Sequence, residues 1–514
     1  MSEVVFEGGD DGRERWPFLA LGLWSLALFI AVLLFDTRHN QFPYFYHPDE
    51  PVKVEQLRTG NWNYHHPMLL LTTTKVAVDM TGASMSEQRT VETGRWVSAT
   101  FTALAAVLLS LLAYAWRGWA AAVATGLTLL LHHQFFELAH YLKEDTALVF
   151  GVAFSFLMAY LFAQRPTPLR AALLGAAVAC AISGKYIGLS VLAVVGPVLW
   201  RAPRESRNSR LITFGITLVV ALIVINLPLV MNPSGFAHSF DREMQLVVHG
   251  QQGTTRRVPH SLYLNIFRDN TTPVMWVLLL VFLVERWRER RALQRVEWLL
   301  IAFPFVYTVA LSFSPKSNDR YFLPATALFT LFAAFGALDT ARLLSRWMSL
   351  RWATLGVIVT LVAAQIPSWW RYEIAFQHDD NRELIEWIES HLPATAVIVK
   401  DSRILLPDPN SSRDVTRFEP MPQKIYAKKF AADVGSIEEL RKMGVTHVAI
   451  SETDYGRFFL SGVRPKKNEV ADFERRKIFY AEVLRAGDLL FQRDRGTVLY
   501  LHPGIRLYAM PPGE

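Results

Sequence analysis

Apolar residues along this chain fall in long unbroken blocks, not at the spacing of a surface helix or strand. Residues 18–35, FLALGLWSLALFIAVLLF, carry no charge at all. About 20 apolar residues in a helix cross a bilayer core of about 30 Å, so this block predicts a membrane span. Further blocks at about 96–116, 119–134, 145–163, 171–182, 186–200, 211–231, 273–284, 298–313, 321–338 and 353–367 predict ten more. The pair at 171–182 and 186–200 is short, and a single helix broken at Ser183-Gly184-Lys185 is the other reading. Basic loops decide between them, because Lys and Arg concentrate on the cytoplasmic side. With eleven spans and a cytoplasmic N-terminus, one side collects Arg13, Arg15, Arg117, Arg165, Arg170, Arg201, Arg204, Arg207 and Arg210. The same side takes the RWRERRALQR run at 286–295 and Arg342, Arg346 and Arg351, 17 basic residues in all. Fusing 171–200 sends the later basic loops to the opposite side, so eleven spans is the expectation.

The pattern changes after Trp369-Trp370. An amphipathic helix is predicted at 380–391 (DNRELIEWIESH), a strand at 395–400 (TAVIVK), a helix at 436–443 and a strand at 446–451 (THVAIS). LYLHP and IRLYAMP read as terminal strands. Alternation of this kind packs helices on a sheet. The expected fold is therefore an α-helical polytopic membrane protein with a C-terminal extracytoplasmic α/β domain. Its parts are a cytoplasmic tail (1–17), a multispanning domain (18–367) with outer loops 36–95 and 232–272, and a soluble domain (368–514). The N-terminal GGDDGRERW is more acidic than basic, so the first span reads as a retained anchor and not as a cleaved signal.

Composition supports this reading. Of 514 residues, 51% are hydrophobic and only 19% charged, against about a quarter charged in soluble proteins. Disorder is excluded by the same figures. The formal charge is +7, yet residues 368–514 hold 22 Lys+Arg and 22 Asp+Glu, so the excess belongs to the membrane part. A neutral tail makes no electrostatic case for nucleic acid. Cys180 is the single cysteine, so no intrachain disulfide forms. There is no P-loop and no Gly-rich dinucleotide turn.

Charges at or beside membrane depth are expensive and call for a reason. They are Asp49 and Glu50, then Lys143, Glu144 and Asp145, then Lys185, and finally Lys316, Asp319 and Arg320. On the eleven-span topology all face the outer side, which describes a polar site opening outward at the lipid boundary. In FPYFYHPDEP (42–51) the paired acids suit proton abstraction, and nearby Tyr44, Phe45, Tyr46, Trp62 and Tyr64 suit a sugar pocket or an interfacial anchor. His47, His65 and His66 beside those acids are metal-ligand candidates, although their spacing fits no fixed pattern. Three charges ahead of 146–150 fit helix capping as readily as chemistry. Lys185 either snorkels or faces an anion. Lys316 and Arg320, four apart on the side where bases are scarce, suit a lipid phosphate.

Five motifs in order complete the picture: HPDEP (47–51), HHP (65–67), YLKED (141–145), GKY (184–186) and KSNDRYFLP (316–324). In this order they resemble the polyprenyl-phosphate-dependent glycosyltransferases of the C superfamily, in particular bacterial relatives of the protein O-mannosyltransferases and the lipid A aminoarabinose transferases. The likeness runs over roughly residues 16–370. It implies that Asp49 or Glu50 supplies the base. It also implies that Lys143, Asp145, Lys185, Lys316, Arg320, Tyr321 and His66 bind the lipid-phosphate sugar. Some members of this superfamily bind a divalent metal near the acids, for which Asp49 and His65 are the candidates; no cofactor is otherwise implied. The chain departs from its relatives in carrying Lys143-Glu144 where they usually have Arg-Pro.

The expected activity is an integral-membrane glycosyltransferase moving a hexosyl or pentosyl group from a polyprenyl-phosphate donor to a protein, lipid or glycan acceptor. Its expected place is a bacterial inner membrane. A lipid-linked sugar flippase and a non-catalytic glycan-binding scaffold are the alternatives. Transporter folds show inverted repeats and midplane polar groups, and apart from the Gly-Lys break neither is visible.

Overall fold

The computed structural model describes residues 15–249, 268–313, 319–406, 421–460, 465, 469–498 and 500–510. Lys316 lies outside the described residues, as does most of the N-terminal tail.

Each predicted apolar block is helical. The helices are α1 (Arg15–Asp36), α2 (Glu50–Thr59), α3 (Leu69–Thr81), α4 (Glu87–Arg117), α5 (Trp119–Leu130), α6 (His133–Ala139) and α7 (Glu144–Gln164). They continue with α8 (Pro168–Gly184), α9 (Leu192–Trp200), α10 (Arg204–Ile225), α11 (Leu227–Met231) and α12 (Pro233–His249). The last membrane-region helices are α13 (Pro273–Arg288), α14 (Arg295–Ser312), α15 (Leu323–Leu344), α16 (Leu350–Ala363) and α17 (Ile366–Phe376). Among the described residues, seven stretches are long and apolar enough to cross a membrane, while Trp119–Leu130, Pro168–Gly184 and Tyr186–Trp200 are shorter.

Two differences from the sequence reading bear on the site. The helix expected to begin at 96 begins at Glu87, so its first turns are polar and include Arg95. Those turns are helical because the segment between α1 and α4 folds over them: α2 and α3 pack against α4 and bury Val54, Leu57, Leu70, Leu71 and Val91. The 232–272 loop likewise opens with a helix, α12.

α7, α8 and α15 form the centre of the bundle, with Leu148, Val152, Phe156, Leu174, Val178, Leu331 and Phe332 almost completely buried. Glycines set the closest approach. A Cβ on Gly151 would lie 2.3 Å from the Ala181 nitrogen, and one on Gly184 would lie 2.6 Å from the Leu148 nitrogen. Small residues at both places let α8 lie directly on the first turns of α7. Polar ties join the same end: the Asn226 side chain accepts from the Met68 N–H (3.0 Å) and donates to Ser183 Oγ (2.6 Å).

The C-terminal unit holds α18 (Asp380–His391), α19 (Ile437–Lys442), α20 (Val470–Ala486) and a five-stranded sheet. Its strands are β1 (Val397–Lys400), β2 (Lys424–Ala427), β3 (His447–Ser451), β4 (Asp488–Arg493) and β5 (Ile505–Ala509), in the order β2-β1-β3-β5-β4. β1 runs parallel to β2 and β3, and β5 pairs antiparallel with β3 and β4. Alternation along the strands feeds both faces: Val399, Val448 and Ile450 meet Tyr480 and Phe458, while Ile398 and Ala449 meet Leu384 and Ile388.

The helices near 380 and 436 and the strands at 397, 447 and 505 stand where the pattern placed them. LYLHP does not. Leu499 lies outside the described residues, Tyr500 and Leu501 form a turn, and the edge strand is β4 instead. The reason is burial. Val498 and Leu501 pack with Phe42, Tyr46, Phe136, Tyr141, Trp369 and Phe376, so this apolar run plugs into the membrane part and not into the sheet. His502 Nε2 meets the Ala375 carbonyl at 2.6 Å and its Nδ1 meets Asp380 at 2.8 Å, fixing the plug. Tyr46 completes the seam by donating to Asp379.

Candidate active site

Glu50 and Asp49 are chain neighbours with opposite surroundings. Glu50 opens α2 and is completely buried. Arg95, also fully buried, grips it with Nε at 3.0 Å and Nη2 at 2.6 Å. The remaining guanidinium nitrogen reaches the carbonyls of Asn40 (2.5 Å) and Phe42 (2.7 Å), and the Leu142 N–H donates to Glu50 at 2.9 Å. Every lone pair of that carboxylate faces the protein, so Glu50 is a clamp that fixes the first loop on α4.

The Asp49 side chain is 45% exposed and pairs with Lys143. Its own backbone N–H donates to His47 Nδ1 at 3.1 Å. Partial burial alone would raise its pKa, but Lys143, then His47 and Lys53, outweigh that and hold the carboxyl well below the usual carboxylate range. Lys143 itself is lowered to about 8, first by burial and then by Arg320 and Lys53.

The second cluster sits on the first turn of α7. Lys185 Nζ binds Asp145 at 2.7 Å and Arg320 approaches its other oxygen at 3.8 Å. The Tyr321 ring lies under both cations, 4.3 Å from Lys185 Nζ and 5.7 Å from the Arg320 guanidinium carbon. Gly184 makes this possible: its backbone contact with α7 delivers the extended residue 185 to position 145. Glu144 pairs with Lys53 at 2.6 Å, and Lys53 also donates to the Leu142 carbonyl at 2.8 Å. Glu144 and Asp145 stand in the first turn of α7, as the helix-dipole reading expects, and both are ion-paired as well; Lys143 is the N-cap and makes no side-chain cap bond. His66 feels Glu144, Lys185, Lys53 and Lys143, and burial first, then those lysines, lowers its pKa to about 4. It is neutral at pH 7.

The structure thus brings together Asp49, Lys143, Asp145, Lys185, Arg320, Tyr321 and His66, and sets Glu50 behind them. Among the described residues no three or more His, Cys, Asp or Glu side chains group so as to hold a metal ion. The Asp49–His65 metal site therefore has no donor set, and no step is routed through a metal.

Four further residues contribute to the site without having been assigned this role from the sequence. Lys53 and Arg95 sat in stretches taken as loop; their signal was the apolar spacing around them (Val54, Leu57; Val91, Val97), which marks both as buried helix positions. His47 was named only as a metal ligand. Tyr500 comes from the C-terminal plug and carries no local signal. Its ring centre lies 4.1 Å from His47 and 5.5 Å from Tyr141, and Arg403 stands 5.3 Å above it.

The described helices thus form a bundle whose mouth holds one partly exposed carboxylate beside a cationic pocket, with an α/β unit packed against it. Residues 72–241 match the family model described as dolichyl-phosphate-mannose-protein mannosyltransferase. Among solved structures, the chain is similar to ArnT from Cupriavidus metallidurans bound to undecaprenyl phosphate. That likeness has 14% identity and a TM-score of 0.52, over 97% of this chain and 99% of that one. It is also similar to the Archaeoglobus fulgidus oligosaccharyltransferase in complex with Zn and sulfate, at 11% identity and a TM-score of 0.51, over 94% of this chain and 73% of that one. At these identities the structural likeness is one of fold. No curated protein matches the chain by sequence.

Proposed function

We propose that the chain is a membrane glycosyltransferase that takes a hexosyl or pentosyl group from a polyprenyl-phosphate carrier at the outer face of a bacterial inner membrane, with Asp49 as general base. The observation that carries the reading is the chain of contacts Asp49–Lys143 beside Lys185–Asp145–Arg320, which joins residues from the first loop, α7, the Gly-Lys break and the turn before α15.

In the reaction, the carrier phosphate sits on Lys185 and Arg320 above Tyr321, with Asp145 holding both cations in place. Lys316 is assigned to the same phosphate by its motif. The phosphate competes with Asp49 for Lys143, which frees the carboxylate and restores its basicity. An acceptor hydroxyl then gives its proton to Asp49 while its oxygen attacks the anomeric carbon. The bond from that carbon to the phosphate oxygen breaks, and the departing phosphate takes the electron pair. Preorganised cations stabilise that charge where it develops, and base assistance contributes about 10²–10⁴-fold. Neutral His66 is positioned to hydrogen-bond the sugar.

The test is mass spectrometry of glycolipids and envelope glycans from a deletion strain, complemented by the wild-type or the Asp49→Asn chain. A sugar lost on deletion, restored by the wild type and not by the variant, supports the reading. Restoration by Asp49→Asn removes Asp49 from catalysis, and an unchanged glycan profile on deletion overturns the transferase.

A further inference from the structure

A second polar feature lies at the far end of the bundle. Gln164, the last residue of α7, donates to the side chain of Gln294 at 2.8 Å. The turn before α14 is therefore about 30 Å from Asp145 at the start of the same 21-residue helix. Beside that turn is a surface cavity of about 460 Å³ lined by Pro197, Arg201, Arg295, Trp298, Leu299 and Ala302. Its walls come from α9, with the Arg201 that caps it, and from α14, two apolar helices. Arg201 and Arg295 are both exposed, and among the described residues neither side chain takes part in an ion pair.

Two uncompensated guanidinium groups at the rim of an apolar groove have a particular complement. The rim binds one phosphate through planar hydrogen-bonding forks, and the Pro197, Leu299 and Ala302 floor accepts hydrocarbon. Tryptophans mark the depth as interfacial: Trp298 lines the cavity, and Trp200 and Trp287 nearby are 64% and 65% exposed. Basic pockets between membrane helices at such a depth bind acidic lipid headgroups. We infer that this cavity is a binding site for one anionic phospholipid, with the phosphodiester on Arg201 and Arg295 and an acyl chain along α9 and α14. The site is separate from the catalytic chamber and does not depend on the reaction assigned there.

The experiment uses the full-length protein in neutral detergent, titrated with phosphatidylglycerol, phosphatidylcholine or inorganic phosphate. The readouts are the unfolding midpoint and the lipids retained in native mass spectrometry. Phosphatidylglycerol is expected to raise the midpoint and to be retained, with phosphatidylcholine and inorganic phosphate doing neither. The Arg201→Gln/Arg295→Gln variant should bind phosphatidylglycerol at least tenfold more weakly, while Arg346→Gln/Arg351→Gln, in another exposed basic loop of the same end, keeps it. Equal loss in the control pair reveals diffuse attraction and overturns the site. So does an equal response to phosphatidylcholine, and an equal response to inorganic phosphate reassigns the groove to a soluble anion. If the double variant does not fold, the two single Gln variants carry the same comparison.

Discussion

The two ends of the bundle both gather buried charge, and they do it differently. At the end that meets the C-terminal unit, Asp49, Glu50, Glu144 and Asp145 are interleaved with Lys53, Arg95, Lys143, Lys185 and Arg320, nearly one cation to each acid. At the other end the buried acid Asp339 is shared by Arg117 at 3.0 Å and by Arg286 and Arg342 at 3.6 Å each, with Glu297 buried at the start of α14. The first arrangement divides labour. Some pairs are sealed and hold the loop, while the Asp49–Lys143 pair is half open and available to a reactant. The second has one role, anchoring α4 and α13 to α15 on the side where basic residues accumulate. Charge density alone does not mark an active site; a balanced network with one accessible member does.

The contrast between sealed and open pairs is sharpest at positions 49 and 50. Asp49→Asn should cut turnover of the lipid-linked sugar by about 10²–10⁴-fold while leaving a folded protein on size exclusion. Glu50→Gln should fail earlier, because opening a buried ion pair costs about 3–5 kcal/mol; its signature is loss of folded protein. If both variants fold and turn over normally, the assignment at this end is wrong.

Next in size are Lys185→Ala and Arg320→Ala. Each removes a charge-assisted contact of about 1.5–3 kcal/mol, so KM for the lipid-linked donor should rise about ten- to a hundredfold. An effect on kcat alone would place the phosphate elsewhere.

A smaller effect is expected in the pH profile of Lys143→Met. Lys143 is the main charge depressing Asp49 in the free protein, so the acid limb of the wild-type kcat/KM profile should lie below the ordinary carboxylate range. Without that ammonium the Asp49 pKa rises and the acid limb moves to higher pH. An unmoved limb means the titrating group is not Asp49.

The smallest is Arg342→Ala at the far end. Its side chain is 64% exposed, and surface pairs contribute about 0–1 kcal/mol. Turnover should be unchanged and the unfolding midpoint nearly so. A large loss of turnover would mean that the two ends are coupled.

What the sequence disclosed follows from what is local. Apolar helices and the strands β1 and β3 are written in runs and periods of a few residues, and they stand where expected, although seven of the described stretches, and not eleven, are long and apolar enough to cross a membrane. The convergence of Asp49, Asp145, Lys185 and Arg320 was legible because each breaks an apolar context. Arg95 and Lys53 were not, since their burial is imposed by a loop that folds back over α4. LYLHP was misread for a related reason. An apolar pentapeptide looks alike whether it joins a sheet or fills a socket in another module, and only the partner surface distinguishes the two. The roles of Asp49 and Glu50 were inseparable for the same cause, because solvent access is a tertiary property.

The plug at Val498–His502 has a practical consequence. Severing the chain near residue 379 would strip the cover from Phe42, Tyr141 and Phe376 and remove Tyr500 from its place against His47. The shortened protein would present a greasy, wet-facing crater in that rim of the bundle. Either half expressed alone should therefore tend to clump, and attempts to study them apart are better replaced by point changes in the intact molecule.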